Sequence, residues 1–155
     1  MQPKMLKHQL TPEQIASLLA QATVGHLATV SPNGQPYVVA LNFVVLDGKI
    51  YFHGRNQGQK IDYLSAEPRV CFETAVEDGY QHGPTACHST TKYRSVVAIG
   101  TAAVIDDHNL LVRVLEEFTK KYAPQHVEPV FSEESLARTS VIEVTVSGWT
   151  GKYFI

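Results

Sequence analysis

GHLATVSPNGQPYVVALNFVVLDGKIYFHG, residues 25–54, decides the fold. Residues 26–30 read as a first strand, and Pro32-Asn33-Gly34 supplies a tight hairpin turn. Tyr37 to Leu46 is a long valine-rich run that reads as a second strand. Asp47-Gly48 turns again, and Lys49 to Gly54 makes a third. Two such turns between strand-like runs predict an antiparallel meander. The second strand does not alternate cleanly: apolar residues occupy both faces from Tyr37 to Val45, broken by Asn42. That predicts burial on both sides, as in a barrel wall that also meets another subunit or a flat ligand. Asn42 must then hydrogen-bond either neighbouring backbone or a ligand.

Downstream, Tyr51 to Cys71 reads as the end of a strand, a polar turn at Arg55–Gly58, a short helix from Gln59 to Ala66 stopped by Pro68, and a new strand from Arg69. Lys60 falls in the first turn of that helix, where the partial positive charge of the helix end disfavours a cation. An anion held by the backbone N–H groups and Lys60 together removes the conflict. His53 and Arg55 precede the same turn and can serve the same anion. The competing reading is a solvated lysine on a surface turn.

The flanking sequence supplies the remaining elements. Thr11-Pro12-Glu13-Gln14 carries a capping box and a helix-starting proline, followed by Ile15, Leu18, Leu19 and Ala22 on one face. Arg69 to Val76 reads as a fourth strand, residues 77–92 as a long connection, and Tyr93 to Ile105 as a fifth strand bent or bulged at Gly100. An amphipathic helix follows, with Leu110, Leu111, Val114, Leu115, Phe118 and Tyr122 facing inward and Lys120 and Lys121 suiting its C-terminus. Residues 125–139 read as a polar connection. A final strand, Thr139 to Phe154, is bent at Ser147-Gly148. The expected fold is mainly β (α+β): a six-stranded antiparallel barrel with flanking helices, one domain over residues 1–155, its first 23 residues a helical segment packed on the barrel.

Composition narrows the function classes. The chain has 155 residues, 44% hydrophobic and 18% charged, with a formal net charge of −2. These are the values of an ordinary globular domain, and they give no support to a nucleic-acid or anionic-membrane partner. No apolar run approaches a transmembrane span and the N-terminus lacks a signal-peptide core, so a cytoplasmic location is expected. Cys71 and Cys87 have no C-x-x-C spacing and read as buried or free thiols.

The order and spacing of three segments, residues 25–39, 50–72 and 93–105, resemble the FMN-binding split barrels related to pyridoxamine 5′-phosphate oxidase, and within them the branch containing nitroimidazole-resistance flavoproteins. The resemblance implies a homodimer with FMN in grooves between subunits. It implies a phosphate held by His53 and Lys60, beside Phe52. It lays the isoalloxazine along Val38, Val39, Ala40, Leu41 and Asn42 to Phe43, with backbone groups meeting the ring's polar edge. Tyr93 and Ser95 would reach the flavin across the interface. Two positions depart from the pattern. Gln59 stands where the pyridoxamine oxidases carry an additional arginine, and Leu41 where the nitroimidazole branch often has proline. Pyridoxamine 5′-phosphate is therefore not the expected substrate. The activity expected is electron transfer from a reduced nicotinamide through FMN to a small acceptor such as a nitro-compound or quinone, without a protein nucleophile or an assigned catalytic residue. The alternative is a flavin- or haem-binding protein that stores or senses without turnover.

Related split barrels include haem-binding members, and Cys87-His88, with His82 nearby, is a candidate axial-ligand pair; polar loop residues without a ligand are the plainer reading. No spacing matches a structural zinc site, and no metal is expected. His26 reads as structural, Glu73, Glu77 and Asp78 as a solvated strand end, and Trp149 either as a core residue or as a neighbour of the partner's flavin.

Overall fold

The computed structural model describes residues 6–127 and 129–154. Helix α1, Pro12–Gln21, is followed by strands β1, Gly25–Val30, β2, Pro36–Leu41, β3, Val44–Leu46, and β4, Lys49–Arg55. Helix α2, Gln59–Ala66, leads into β5, Arg69–Gln81, and β6, Thr90–Val104. Helix α3, His108–Tyr122, helix α4, Glu133–Arg138, and β7, Thr139–Phe154, complete the chain.

The predicted meander forms. Asp47 and Gly48, at φ 52° and 76°, make the left-handed turn that joins β3 to β4, and Gly34, at φ 83°, serves the turn between β1 and β2. The capping box also forms: Thr11 Oγ1 accepts from Gln14 N–H at 3.3 Å and Gln14 Oε1 from Thr11 N–H at 2.8 Å.

All seven strands lie in one antiparallel sheet, ordered β2-β1-β5-β6-β7-β4-β3. The expectation of six strands is corrected here. The run from Tyr37 to Leu46 breaks at Asn42-Phe43, and its halves pair with different neighbours, β2 with β1 and β3 with β4. The two edge strands of the sheet are thus joined by only two residues. The sheet is strongly curled. Phe52 of β4 and Phe72 of β5 have two strands between them in the sheet, yet their rings lie 6.0 Å apart. Adjacent strands are about 4.8 Å apart, so a flat sheet would hold these rings more than twice as far away.

The inside of the curl is the main core, built on Leu27, Phe43, Ile50, Phe52, Phe72, Val96, Ala98, Ile142 and Val144. Gly25 is required by this packing, because a Cβ there would lie 2.2 Å from the Phe72 ring. Helices α1 and α2 add Leu18, Leu19 and Leu64 to the same core. Helix α3 covers the outside, where Val114 and Phe118 meet Val44, Tyr51 and Val141.

Two connections differ from expectation. Residues 77–92 are half strand: β5 runs on to Gln81 and β6 starts at Thr90, leaving 82–89 as the connection, with a pairing irregularity between Glu77 and Tyr80 that Gly79, at φ 93°, accommodates. This bulge hides the alternation from a sequence reading. Residues 125–139 contain α4, a six-residue helix capped by Ser132 and burying Leu136. The bend at Gly100 is present. A register shift between Ile99 and Gly100 leaves Ser147 as the extra residue of β7, and its hydroxyl donates to Ile99 O at 3.0 Å.

Candidate functional site

The strand switch at Asn42-Phe43 creates two clefts. Beyond Val44, which pairs with Tyr51, β4 continues to Arg55 without β3 beside it, while β2 has already turned away to pair with β1. The first cleft, a break in the strand pairing, therefore lies between β2 and the end of β4 and starts at Asn42. The second lies on the other side of the crossing, where β3 faces α1.

Lys60 stands at the first cleft. It is half-buried, burial holds its pKa below the ordinary lysine value, and among the described residues no hydrogen bond or ion pair engages its ammonium. Gly54 makes room for it, since a Cβ there would sit 2.5 Å from Lys60 Nζ. Helix α2 starts from Gly58, at φ 127°, with no side chain capping its N–H groups. A half-buried cation without a counter-charge beside uncapped helix N–H groups is an arrangement that an anion completes.

His53 packs edge-on against Phe118, with ring centroids 4.3 Å apart. This desolvation, and secondly the Lys60 charge, keep its pKa below the ordinary histidine value. Adjacent strand residues point to opposite faces, so the His53 ring and the Lys60 ammonium over Gly54 leave β4 on different faces. Phe52 is fully buried in the core and offers the cleft only its backbone. Gln59 donates to Tyr63 O–H at 2.6 Å, and Tyr63 packs against Tyr37 of β2. Thr29, opposite Tyr37 on β1, has a buried hydroxyl without a hydrogen-bond partner among the described residues.

On β2 the side chains alternate. Tyr37, Val39 and Leu41 are half-buried and turn inward, while Val38, 60% exposed, and Ala40 face out. The expected second burial is not made within one chain. The outward face continues through Ala28 of β1, Cys71 and Ala75 of β5, and Ser95, Val97 and Ile99 of β6, a largely apolar sheet face broken by a His26–Glu73 contact at 3.0 Å. Tyr93 and Ser95 share that face of β6. Asn42 donates to Thr23 O at 3.1 Å, so neighbouring backbone satisfies it. The next residue is also engaged: the Tyr122 hydroxyl accepts from Phe43 N–H at 3.0 Å and lies 2.8 Å from Phe43 O. Free strand edge for a ligand ends at Leu41.

The second cleft, of about 940 Å³, contains none of these residues. Its functional group is Lys121, which the sequence reading assigned to the helix end. Lys121 Nζ donates to Leu19 O at 3.0 Å and Phe43 O at 3.1 Å and sits 4.0 Å above the Phe43 ring. Burial pushes its pKa down to about 8. One signal was available: Lys121 falls three residues after Phe118 and seven after Val114, on the apolar stripe of α3.

Elsewhere, His82, Cys87 and His88 are exposed, and His88 Nδ1 shares a hydrogen bond with Thr85 Oγ1 at 2.6 Å. Among the described residues no group of three or more His, Cys, Asp or Glu is placed to hold a metal ion, and no helix is long and apolar enough to cross a membrane.

An antiparallel sheet curled on itself, with flanking helices and a strand switch that joins its two edges, defines a class of barrel-like domains. The pyridoxamine 5′-phosphate oxidase family model matches residues 11–153, and the chain belongs to that family. Among solved structures, a candidate 5-nitroimidazole antibiotic resistance protein from Bacteroides thetaiotaomicron is 24% identical, with TM-score 0.82 over 94% of this chain and 86% of that one. The flavocytochrome Anf3 from Azotobacter vinelandii is 18% identical, with TM-score 0.87 over 100% and 72% of the two chains. An FAD and heme binding protein from Mycobacterium smegmatis is 20% identical, with TM-score 0.82 over 94% and 73%. These likenesses establish the fold. No curated protein matches the sequence.

Proposed function

We propose that the chain is an FMN-dependent oxidoreductase, a split-barrel homodimer that binds one flavin in each first cleft. The observation that carries this reading is Lys60, half-buried, without a counter-charge among the described residues and in the first turn of α2, whose start no side chain caps. A phosphate monoester supplies the missing charge, and the unpaired edge of β2 from Val38 to Leu41 offers backbone donors and acceptors to a flat polar ring. His53 keeps to the far face of β4 and contributes through its imidazole only past the strand end. The exposed apolar face of β2, β1, β5 and β6 suits a second copy of the chain, which would bring Tyr93 and Ser95 toward the neighbouring flavin.

When bound, FMN supplies two-electron transfer between a reduced nicotinamide and a small acceptor such as a nitro-compound or quinone. The protein's part is to anchor the phosphate, orient the ring along β2 and exclude water with the apolar face. Relatives of the same fold described as a flavocytochrome and as an FAD and heme binding protein favour a second reading, binding without turnover.

Purification separates the readings. A yellow protein that releases FMN on heating and oxidises NADPH faster with a nitroaromatic acceptor supports the first. Bound flavin without NADPH oxidation, or a Soret band, supports the second. A colourless protein that takes up neither added FMN nor haem overturns both. Light scattering should report a dimer that Val38→Asp dissociates.

A further inference from the structure

The second cleft is built like a ligand site, and nothing in the flavin reading uses it. Its wall is apolar, formed by Leu10, Ile15, Leu19, Val44, Val45 and Trp149. Its volume of about 940 Å³ falls within the range of small-molecule pockets. Two lysines and one glutamate reach it, but Lys120 is neutralised by Glu117 at 2.6 Å. Lys121 is left as a cation that no carboxylate among the described residues pairs with. Two of its three N–H donors go to the carbonyls of Leu19 and Phe43, and the Phe43 ring lies beneath it.

We propose that this cleft binds a small, mostly apolar molecule carrying a single carboxylate, its body against Trp149 and α1 and its carboxylate at Lys121. Two features select that chemistry. A neutral apolar ligand would strip water from Lys121 without replacing it, which is costly for a charge already half-desolvated. A dianion would bring a second negative charge toward Glu117, with no further free cation among the described residues that line the cleft. Its concave shape and volume suit a small molecule better than a flat protein surface.

Trp149 is the only tryptophan of the chain, so its fluorescence reports the cleft directly. The full-length protein is titrated with octanoate, octanol and octylamine while Trp149 emission is followed. Octanoate should give a saturable change, with octanol and octylamine weaker by on the order of tenfold or more, the contribution of one charge-assisted hydrogen bond. Lys121→Met should reduce octanoate to the level of octanol. Ala16→Phe, which fills the cleft from the exposed side of α1, should abolish both while circular dichroism and thermal unfolding stay unchanged. Lys60→Ala should leave octanoate binding intact. The proposal is overturned by an absence of saturable change with any probe, by equal affinity for octanoate and octanol, by undiminished binding in either cleft variant, or by loss of binding in Lys60→Ala. The last result would place the carboxylate in the flavin cleft.

Discussion

The two clefts that flank Asn42-Phe43 face the same physical problem and meet it differently. Each holds a half-buried lysine whose pKa is depressed by burial. Lys121 has two backbone carbonyls and an aromatic face from its own chain, whereas among the described residues Lys60 has none of these. The second cleft is therefore largely complete in the free protein and a ligand adds to it. The first is incomplete, and a ligand is what makes its charge tolerable. Strength of ligand dependence should follow that order.

The largest perturbation breaks both clefts at once. Phe72 lies against Phe43, with ring centroids 4.9 Å apart, and against Phe52. Phe72→Ala should cost about 3–5 kcal/mol in chemical unfolding, because it opens a cavity under the floor that the clefts share. Next comes the asymmetry itself. Lys60→Ala should weaken FMN binding by about 10- to 100-fold, as expected for a charge-assisted phosphate contact, without lowering the unfolding midpoint. A drop in stability with unchanged flavin affinity would reverse the roles assigned to the two lysines.

A smaller effect is expected at the crossing. Tyr122→Phe removes the hydroxyl that accepts from Phe43 N–H and should cost about 1–2 kcal/mol in the same unfolding assay. A pH effect tests the desolvation itself. Lys121 has a folded pKa of about 8 against 10.5 for the free side chain, so between these values the unfolded chain binds more protons and stability rises with pH. The unfolding midpoint of the wild type relative to Lys121→Met should climb from pH 8 to 10.5 and stay flat from pH 6 to 7. A falling difference over the upper range would show that the cation is not desolvated.

Much of this was legible in the chain because the signals are local. Asn33-Gly34, Asp47-Gly48 and the Thr11–Gln14 box act over three or four residues, and each produced the element it announced. The switch at Asn42-Phe43 was not legible. Both halves of the run are valine-rich and carry no breaker, so only the availability of β1 and β4 as partners divides them. The β5–β6 ladder was cut short in the reading because a bulge at Gly79 looks like a loop, and α4 has a single buried leucine, Leu136, to announce it. Lys60 declared itself by conflicting with its helix end. Lys121, placed where a helix C-terminus welcomes a cation, raised no such conflict, and only its place on the apolar stripe betrayed it.

The two-residue join between the sheet's edge strands has a mechanical consequence. It acts as the rivet of a pair of shears: β2 and the tail of β4 are tied together at Asn42-Phe43, and along each strand Pro36 and Arg55 lie farthest from that tie. For the flavin proposed above, with its ring near the rivet and its phosphate at Lys60, entry would lead with the ring and release would begin at the charged tail.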